Sequence, residues 1–256
     1  MLLAIDIGNT NITLGVFEGD DLRATWRIAT DASRMPDEYG LAVTQLLAMR
    51  GVSPEQVRSV VLCSVVPPLT PNFVILARDY FDVSPLVVGT GTRTGMRIQY
   101  ENPRDVGADR IVDAAAALQL YGGPAIVVDI GTATVFDAVT ERGEYIGGAI
   151  APGLRIAADS LFHSTSMLRS VELTAPPAAI GKNTVNAMQS GLVLGFTDLV
   201  RGMVARFQQE LGGNAKVIAT GGLADLIAEQ LDIFDAVNPD LTLMGLRIVH
   251  ELNSDD

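Results

Sequence analysis

Apolar runs separated by short, glycine-containing turns open the chain, and the same arrangement returns near its middle. Runs of this length, rich in aliphatic and β-branched residues and bounded by turn residues, are typical of β-strands. Each half of the chain is therefore predicted to begin with a three-strand meander. The predicted strands lie at 2–7, 12–17 and 22–28 in the first half and at 125–129, 135–139 and 145–150 in the second.

Helices and further strands alternate after each meander. Proline residues, which suit the first turn of a helix, precede several of the helical segments. This alternation predicts an α/β fold. The remaining predicted elements are a helix after Pro36, a strand at 57–65, a helix after Pro68, a strand at 86–88, a helix announced by Pro103 and Asp105 that continues through the alanines at 114–117, a helical region from about 183 to 211, a strand at 216–219 and a helix at 223–230.

One acidic turn with a glycine occurs twice. Residues 6–11 read Asp-Ile-Gly-Asn-Thr-Asn, and residues 129–134, which begin 123 positions later, read Asp-Ile-Gly-Thr-Ala-Thr. Glycine lets backbone N–H groups approach an anion, and an aspartate at the strand end can orient a hydrated cation. The repeat predicts a duplicated domain that holds a polyphosphate in the cleft between its halves. We place the domains at 1–118 and 119–256, divided within the helix that ends near Gly122.

Length and composition exclude some classes of protein. With 256 residues, 48% of them hydrophobic and 19% charged, the chain can bury a sizeable core, and no segment is apolar for long enough to span a membrane. The first residues lack the basic region of a signal peptide, so we expect a cytoplasmic protein. The net charge of −12 argues against nucleic-acid binding. An anionic ligand must therefore be held locally, by turn amides, helix N-termini and metal ions.

Seven segments, spread in order over nearly the whole chain, carry a family resemblance. The paired turns resemble the phosphate motifs of the acetate and sugar kinase, heat-shock ATPase and actin superfamily, and within it the chain closely resembles the type III pantothenate kinases. The resemblance implies two duplicated ribonuclease H-like (actin-like ATPase) domains with a nucleotide cleft between them. The matching segments are 6–11, 102–110, 129–134, 147–153, 180–184, 187–191 and 220–222.

The resemblance also implies a reaction. In this family the γ-phosphoryl group of ATP is transferred to the primary hydroxyl of pantothenate, which gives 4′-phosphopantothenate at the entry to coenzyme A synthesis. The implied cofactors are ATP with Mg²⁺ and a monovalent cation, K⁺ or NH₄⁺, and the implied assembly is a homodimer. Phosphoryl transfer depends mainly on positioning and charge stabilisation, so phosphate donors, cations and a carboxylate near the acceptor hydroxyl are expected.

The first turn resembles the family's ATP-binding loop. Its glycine allows close approach of phosphate, its polar side chains offer donors, and its aspartate is expected to reach Mg²⁺ through water. A single turn of this kind can also be a plain hairpin whose Asn and Thr satisfy their own backbone, a reading that the second copy weakens. The expected ATP contacts are Asp6, Ile7, Gly8, Asn9, Thr10, Asn11, Ile12, Thr13 and, in the second turn, Thr132.

Asp109 is the candidate general base. It falls in the first turn of a predicted helix, where an ordinary N-terminal carboxylate is also favoured, and only the resemblance favours the catalytic reading. The helix end is expected to lower the basicity of Asp109, which a loose transition state tolerates. The expected contacts of pantothenate are Tyr100, Gly107, Ala108, Asp109, Arg110 and Thr184.

Other positions take their expected roles from the same resemblance. Asp129 is implied as the ligand of the monovalent cation and Asp6 as the carboxylate at Mg²⁺, whereas Gly221 and Gly222 are implied to form the adenosine-side turn. Thr184 is implied to reach the pantothenate site of the partner subunit. Its alternative role is to cap a helix, for which Asn183 is at least as good a candidate.

The chain departs from the family pattern at a few positions. Val135 stands where a threonine is usual, Asp113 stands where an asparagine is common, and the segment 162–169 is less basic than its equivalents. Neither single substitution removes a catalytic group. The single cysteine, Cys63, is expected to be a small core residue. The two histidines, His163 and His250, lack metal-ligand neighbours and are interpreted as structural or exposed.

Other functions remain open at this point. An actin-like or heat-shock-like ATPase needs additional subdomains, for which 256 residues leave little room. A non-catalytic regulator would be expected to lack Asp6, Asp109 or Asp129, and all three are present. A sugar or acetate kinase is disfavoured mainly by the Gly-Ala-Asp-Arg segment at 107–110. Dependence of ATP consumption on pantothenate would discriminate between these functions.

Overall fold

The computed structural model describes residues 1–254, which form two compact α/β units, each built on one mixed β-sheet. The first unit comprises 1–96, 101–116 and the chain from 242 onward, and the second comprises 97–100 and 117–241. The strands are β1 (Leu2–Ile7), β2 (Asn11–Glu18), β3 (Asp21–Ala29), β4 (Ser59–Ser64), β5 (Leu86–Val87), β6 (Arg97–Ile98), β7 (Ala125–Ile130), β8 (Ala133–Val139), β9 (Glu144–Pro152), β10 (Lys216–Thr220) and β11 (Ala236–Val237). The helices are α1 (Pro36–Ala48), α2 (Thr70–Phe81), α3 (Ala108–Tyr121), α4 (Leu154–Ser164), α5 (Thr184–Gln189), α6 (Gly195–Glu210), α7 (Ala224–Ala228) and α8 (Leu241–Asn253).

The sheet of the first unit has five strands in the order β3-β2-β1-β4-β5. Strand β1 lies antiparallel to β2 and parallel to β4. Helices α1 and α2 cover one face, where Ile5 and Phe73 belong to one buried cluster. The N-terminal part of α3 and helix α8 cover the other face, where Cys63, Val112 and Leu246 form a second cluster. Because side chains alternate along a strand, each face receives its own set of residues from β1.

The sheet of the second unit has six strands in the order β11-β10-β7-β8-β9-β6. One face packs on α4, α5, α6 and α7 through a buried cluster that includes Val128, Phe136, Val200 and Ile227. The other face carries Asp129, which pairs with the neighbouring β8 residue Val135. The α5 helix continues into α6 through a π-helical segment at Ser190–Leu194.

The six predicted meander strands are confirmed, with ends that differ by no more than two residues. The predicted helical region 183–211 is the continuous run from α5 to α6, and the helix announced by Pro103 starts later, because a 3₁₀ turn at Pro103–Asp105 precedes α3. The structural units are discontinuous along the chain, and the continuous division at residues 118 and 119 stays a prediction about the domains. The sequence analysis missed β6, α4, β11 and α8.

Candidate active site

The first acidic turn is a tight hairpin connection between β1 and β2. The Gly8 N–H donates to the Asn11 carbonyl over 3.0 Å, and the Thr30 hydroxyl donates to the Gly8 carbonyl over 2.6 Å. Asn9, Thr10 and Asn11 are exposed. A side chain at Gly8 would come within 3.0 Å of the Asn11 carbonyl oxygen, so the position favours glycine. The turn can therefore present backbone and side-chain donors to an anion.

The strand residues beside this turn divide between the two faces of the sheet. The side chains of Ile7 and Ile12 are fully buried, so these residues can meet a nucleotide only through their backbone. Asp6 and Thr13 are paired across β1 and β2 and lie on the other face. That face is the one covered by α3, the helix that carries Asp109. Because side chains alternate along β1, the core residues of the predicted loop lie on one face of the sheet and its acidic residue lies on the other.

Asp6 and Asp109 form the acidic centre of the first unit. Burial of the carboxylate and the nearby charge of Asp109 raise the pKa of Asp6 from 3.8 to about 7. The Cys63 thiol donates a hydrogen bond to Asp6 Oδ1 over 3.4 Å and opposes this rise. Burial raises the pKa of the Cys63 thiol well above its usual value, so the thiol stays protonated and remains a donor. In the absence of a cation, the charged form of Asp6 is therefore disfavoured.

Asp109 is the second residue of α3 and therefore lies in the first turn of a helix, as the sequence predicts. A side chain at Gly107 would collide with Asp109 Oδ1, so the glycine makes room for the carboxylate. The Arg110 N–H donates to the same oxygen over 2.8 Å. Burial nevertheless raises the pKa of Asp109, against the opposing effects of this bond and the Arg110 charge. The expected lowering of its basicity is wrong, because desolvation outweighs the helix-end donors, and a raised pKa suits a general base.

The start of α3 lies at the carboxyl ends of two parallel strands. The Val65 N–H, just beyond β4, donates to the Ile7 carbonyl at the end of β1 over 3.0 Å. A Cβ at Gly107 would be 3.6 Å from Val65 Cγ1. Ligands of open α/β sheets bind at this edge. Gly107, Asp109 and Arg110 are partly exposed there, which suits residues predicted to contact pantothenate.

The second acidic turn, between β7 and β8, places Asp129 at a partly exposed strand end. The Gly131 N–H donates to the Ala133 carbonyl over 3.0 Å. Gly221 has a φ of +92°, and a side chain there would collide with Asp129 Oδ1. Only glycine can adopt this backbone conformation at so close an approach. Gly221, predicted as part of an adenosine-side turn, therefore also lies directly against the Asp129 carboxylate.

Gly153 approaches the second turn from the end of β9. A side chain at Gly153 would collide with the carbonyl oxygens of Gly131 and Thr132. Gly153 is also the N-cap of α4 and makes no side-chain cap hydrogen bond. Orphan N–H groups at a helix N-terminus attract anions. The exposed Thr132 thus lies near additional backbone donors, and its contact with a phosphate stays a prediction.

Tyr100 and Thr184, both predicted pantothenate contacts, belong to the second unit. Tyr100 is half-buried and follows the two-residue strand β6, which pairs with β9. Thr184 is the exposed first residue of α5. The side chain of Asn183 accepts a hydrogen bond from the Asn186 N–H over 2.9 Å, so Asn183 caps the helix. Thr184 is therefore not the residue that caps α5.

The positions that depart from the family pattern are placed in different surroundings. Val135 and Asp113 are buried, on β8 and α3 respectively. His163 is exposed on α4, and burial lowers the pKa of the half-buried His250 on α8. The segment 162–169 spans the end of α4 and the exposed loop beyond it.

Sequence reasoning missed the contact of Cys63 with the acidic centre. It correctly assigned Cys63 to the core, where the residue is fully buried. Its partner on β1 is Asp6, since the parallel register aligns the two residues. The signal available in the sequence was the apolar strand at 57–65, but the register that brings these side chains together is a property of the folded sheet.

The protein ligands available here suit a cation that is also coordinated by atoms of a substrate. In the described part of the chain, no group of three or more His, Cys, Asp or Glu side chains is arranged to hold a metal ion. Asp6 offers a carboxylate whose negative charge is disfavoured by burial and by Asp109, and a bound cation would relieve both effects. Mg²⁺ keeps several waters and commonly binds through one or two carboxylates plus phosphate oxygens. The residues at Asp6 therefore fit hydrated Mg²⁺.

Solved structures show the class of fold. The chain aligns with a Campylobacter jejuni protein assigned to the Baf family of transcriptional activators (18% identity, 98% of both chains, TM-score 0.64). It also aligns with component A of (R)-2-hydroxyglutaryl-CoA dehydratase from Acidaminococcus fermentans (15% identity, 99% of this chain and 96% of the other, TM-score 0.53). A third match is the inorganic polyphosphate/ATP-glucomannokinase of an Arthrobacter species (16% identity, 98% and 97%, TM-score 0.50). These alignments show the fold, an α/β fold of the actin-like ATPase type, and each of its two units carries one acidic turn.

Relatives with higher sequence identity define the family within this class. The family model for type III pantothenate kinase matches residues 2–206. A type III pantothenate kinase of Moorella thermoacetica is 54% identical over 254 residues, which cover 99% of this chain and all of the relative. One from Myxococcus xanthus is 51% identical over 253 residues and covers 99% of both chains. The chain belongs to the type III pantothenate kinase family and is an enzyme of the kinase class. In residues 1–254 no helix is both long and apolar enough to cross a membrane.

Proposed function

We propose that the protein transfers the γ-phosphoryl group of ATP to the primary hydroxyl of pantothenate, giving 4′-phosphopantothenate and ADP for coenzyme A synthesis. The observation that carries this proposal is the pair of acidic turns, each at the end of a central strand, together with the partly exposed Asp109, whose pKa is raised by desolvation. The first turn and Asp109 lie in one unit and the second turn in the other. Family membership supplies the identity of the acceptor.

Asp109 orients the acceptor hydroxyl and receives its proton. The hydroxyl oxygen forms a bond to the γ-phosphorus, and the bond from that phosphorus to the β–γ bridging oxygen breaks, which leaves ADP. Charge develops on the transferred group and on the bridging oxygen. The raised pKa of Asp109 favours proton acceptance from a hydroxyl that is losing its proton late in the step. Arg110 and Tyr100 bind and orient pantothenate.

The turns and two cations offset the charge of the phosphates. The exposed residues 9–11 and Thr132 donate to phosphate oxygens. Asp6 would hold hydrated Mg²⁺, which would supply positive charge against the phosphates of ATP. Asp129 would hold a monovalent cation, K⁺ or NH₄⁺, which would offset phosphate charge in a chain with only 18 basic residues. We place the enzyme in the cytoplasm and assign it no membrane partner. The net charge of −12 argues against a nucleic-acid partner.

A coupled assay of ADP release tests the reaction and the cation together. With ATP, Mg²⁺ and K⁺, ADP should appear only when pantothenate is present, and its rate should fall when Na⁺ replaces K⁺. ADP release without pantothenate would indicate an ATPase. Release with a sugar or acetate but not with pantothenate would indicate one of the other kinases of the superfamily, and no release under any condition would indicate a regulator.

Asp129→Ala should raise the K⁺ concentration needed for half-maximal activity by roughly tenfold or more, because a ligand of the cation is lost. The measurement is a K⁺ titration at constant ionic strength and saturating ATP and pantothenate. Asp225→Ala, which changes an exposed aspartate on α7, is the matched control. If Asp129→Ala follows the same K⁺ curve as the wild type, the cation site is elsewhere.

The surface of the second unit supports assembly into a homodimer. Large apolar side chains are exposed on β9, on α4 and in the chain up to α5, and they include Ile150 (65% exposed) and Ile180 (84% exposed). Strand β6 pairs only with Glu144 and Tyr145, so in the described sheet the rest of β9 has a neighbouring strand only on its β8 side. Exposed apolar patches commonly mark interfaces. Thr184 lies at the exposed start of α5, in the same region of the chain, and we assign it to the pantothenate site of the partner subunit.

Mixed dimers test the role of Thr184. Asp109→Asn and Thr184→Trp chains should each be nearly inactive alone, and co-refolding them one to one should restore about a quarter of the wild-type rate, since half of the dimers are mixed and each mixed dimer has one intact site. Co-refolding each variant with itself is the control. If Thr184 serves its own subunit, the mixture stays inactive. A monomer by light scattering would exclude the dimer itself.

A further inference from the structure

A buried polar pair in the second unit has no part in the phosphate or cation sites. The Tyr145 hydroxyl donates to Asp137 Oδ1 over 2.7 Å. The exposed fraction is 0% for Tyr145 and 2% for Asp137. A carboxylate buried to this degree is costly unless it is hydrogen-bonded, so the pair strongly favours one orientation of the tyrosine side chain.

A β-bulge brings the two residues to the same face of the sheet. Asp137 pairs with Gly148, whereas Val139 pairs with Tyr145, so β9 has one more residue than β8 in this interval. In a regular ladder Tyr145 would stand opposite Thr140 and point to the other face. Bulges re-aim side chains in this way and are common near active sites. The bulge thus gives Tyr145 a position that the alternation of β9 alone would not provide.

Tyr145 in turn supports the ring of Tyr100. The Gln99 N–H donates to the Tyr145 carbonyl over 2.8 Å, and Ile98 pairs with Tyr145, which places Tyr100 on the same sheet face as Tyr145. The two ring centroids are 6.3 Å apart, with an angle of 48° between the ring planes. This is within the range of favourable aromatic pairs.

Gly147 lies at the bulge, beside the Tyr100 ring. Its φ is +121°, a conformation that side chains rarely adopt, and a Cβ there would lie 3.4 Å from Tyr100 Cε2. The positive φ at the bulge therefore favours glycine, and a Cβ there would make only an ordinary van der Waals contact with the Tyr100 ring. Tyr100 rests on Tyr145 and Gly147, and the hydroxyl of Tyr145 is held by Asp137.

We propose that Tyr145, anchored by Asp137, is a positioning residue that fixes the ring of Tyr100 and thereby sets the affinity of the enzyme for pantothenate. The inference deepens the proposed function and rests on it, because it takes Tyr100 as a wall of the pantothenate site. Neither Tyr145 nor Asp137 needs to touch the substrate. Their effect passes through Tyr100, so it should appear in the KM of pantothenate and leave ATP unaffected.

Tyr145→Phe tests the proposal, since it keeps the ring and removes the hydroxyl. The KM of pantothenate should rise roughly tenfold, because a misplaced binding group weakens productive binding, while kcat and the KM of ATP stay close to wild type. Asp137→Asn retains an oxygen that can accept from the tyrosine and should remain near wild type. If Tyr145→Phe folds poorly, the double variant Asp137→Val/Tyr145→Phe removes both polar partners and should show the same rise in KM.

A double-mutant cycle shows whether Tyr145 acts through Tyr100. Tyr100→Ala alone should raise the KM of pantothenate, and adding Tyr145→Phe to it should produce no further rise. A full additional rise, or a parallel change in the KM of ATP, would show a general structural role and overturn the inference. An unchanged KM of pantothenate in Tyr145→Phe or in Tyr100→Ala would also overturn the inference. The proposed reaction would still stand in that case, as long as the wild type is active with pantothenate. If the proposed function is wrong, ADP release by the wild type will not depend on pantothenate.

Discussion

Asp109→Asn is expected to lower kcat by about 10²–10⁴-fold and to leave ATP binding largely intact. The substitution keeps the size of the side chain and removes the atom that accepts the proton. Asp109 is held between Gly107, which leaves room for its carboxylate, and the Arg110 N–H at 2.8 Å. The nucleotide contacts are assigned to the two turns, so ATP affinity should change little. The measurements are steady-state kcat and calorimetric binding of ATP with Mg²⁺.

Asp113→Asn is the matched control for this experiment. Asp113 is a buried carboxylate on the same helix, and asparagine is common at this position in the family that the sequence resembles. It should therefore retain most of the wild-type rate. An Asp109→Asn enzyme that turns over at the wild-type rate would refute the assignment of the base. A loss of ATP affinity as large as the loss of kcat would assign Asp109 to the nucleotide site instead.

The pH dependence of the rate offers a second measure of the same residue. Burial raises the pKa of Asp109, so the acidic limb of the pH profile should lie above the usual range of an aspartate. The local sequence predicts the opposite direction, because Asp109 stands in the first turn of a helix. The direction of the pKa shift is reversed by desolvation of Asp109, because the start of α3 packs against the sheet. A local sequence pattern carries no information about this packing.

The sequence predicts well those parts of the fold that repeat a local pattern. The meander strands follow from apolar runs between turns, and the sequence also places Asp109 correctly in the first turn of a helix, although Pro103 and Asp105 form the 3₁₀ turn that precedes α3. Helix α8 was not predicted, and in the structure its Gly245 packs closely on α3: a Cβ there would collide with the Val112 carbonyl oxygen. The two-residue strands β6 and β11 are too short to show a period.

Long-range contacts of the site are the part that the sequence does not contain. The thiol of Cys63 reaches Asp6 because β4 pairs in register with β1, and Tyr145 reaches Asp137 because of a bulge. Both are consequences of register, which is decided by packing of the whole sheet. The acidic turns themselves, by contrast, are local in sequence and are found without the structure.

Asp6→Asn should abolish most activity and yet stabilise the enzyme at alkaline pH. Asp6 is the carboxylate assigned to Mg²⁺, and the burial that positions it also opposes its charge. Its pKa is about 7 in the folded protein against 3.8 for the ordinary residue. Between pH 3.8 and about 7 the folded state binds more protons than the unfolded state. The contribution of protonated Asp6 to the free energy of unfolding is therefore fully present below pH 3.8 and is lost as the pH rises to about 7. An asparagine remains neutral throughout and avoids this loss.

The stability difference between Asp6→Asn and the wild type should therefore grow from pH 4 to pH 8 and reach a few kcal/mol at most. It is measured by urea unfolding at several pH values with a chelator and without nucleotide. Asp79→Asn, an exposed carboxylate on α2, should show no comparable growth. Mg²⁺ with ATP should narrow the difference, since ligands that bind only the folded wild type stabilise it. A difference that does not change with pH would mean that Asp6 is charged at no cost, and the enzyme would then have no need of a cation to hold this carboxylate ionised.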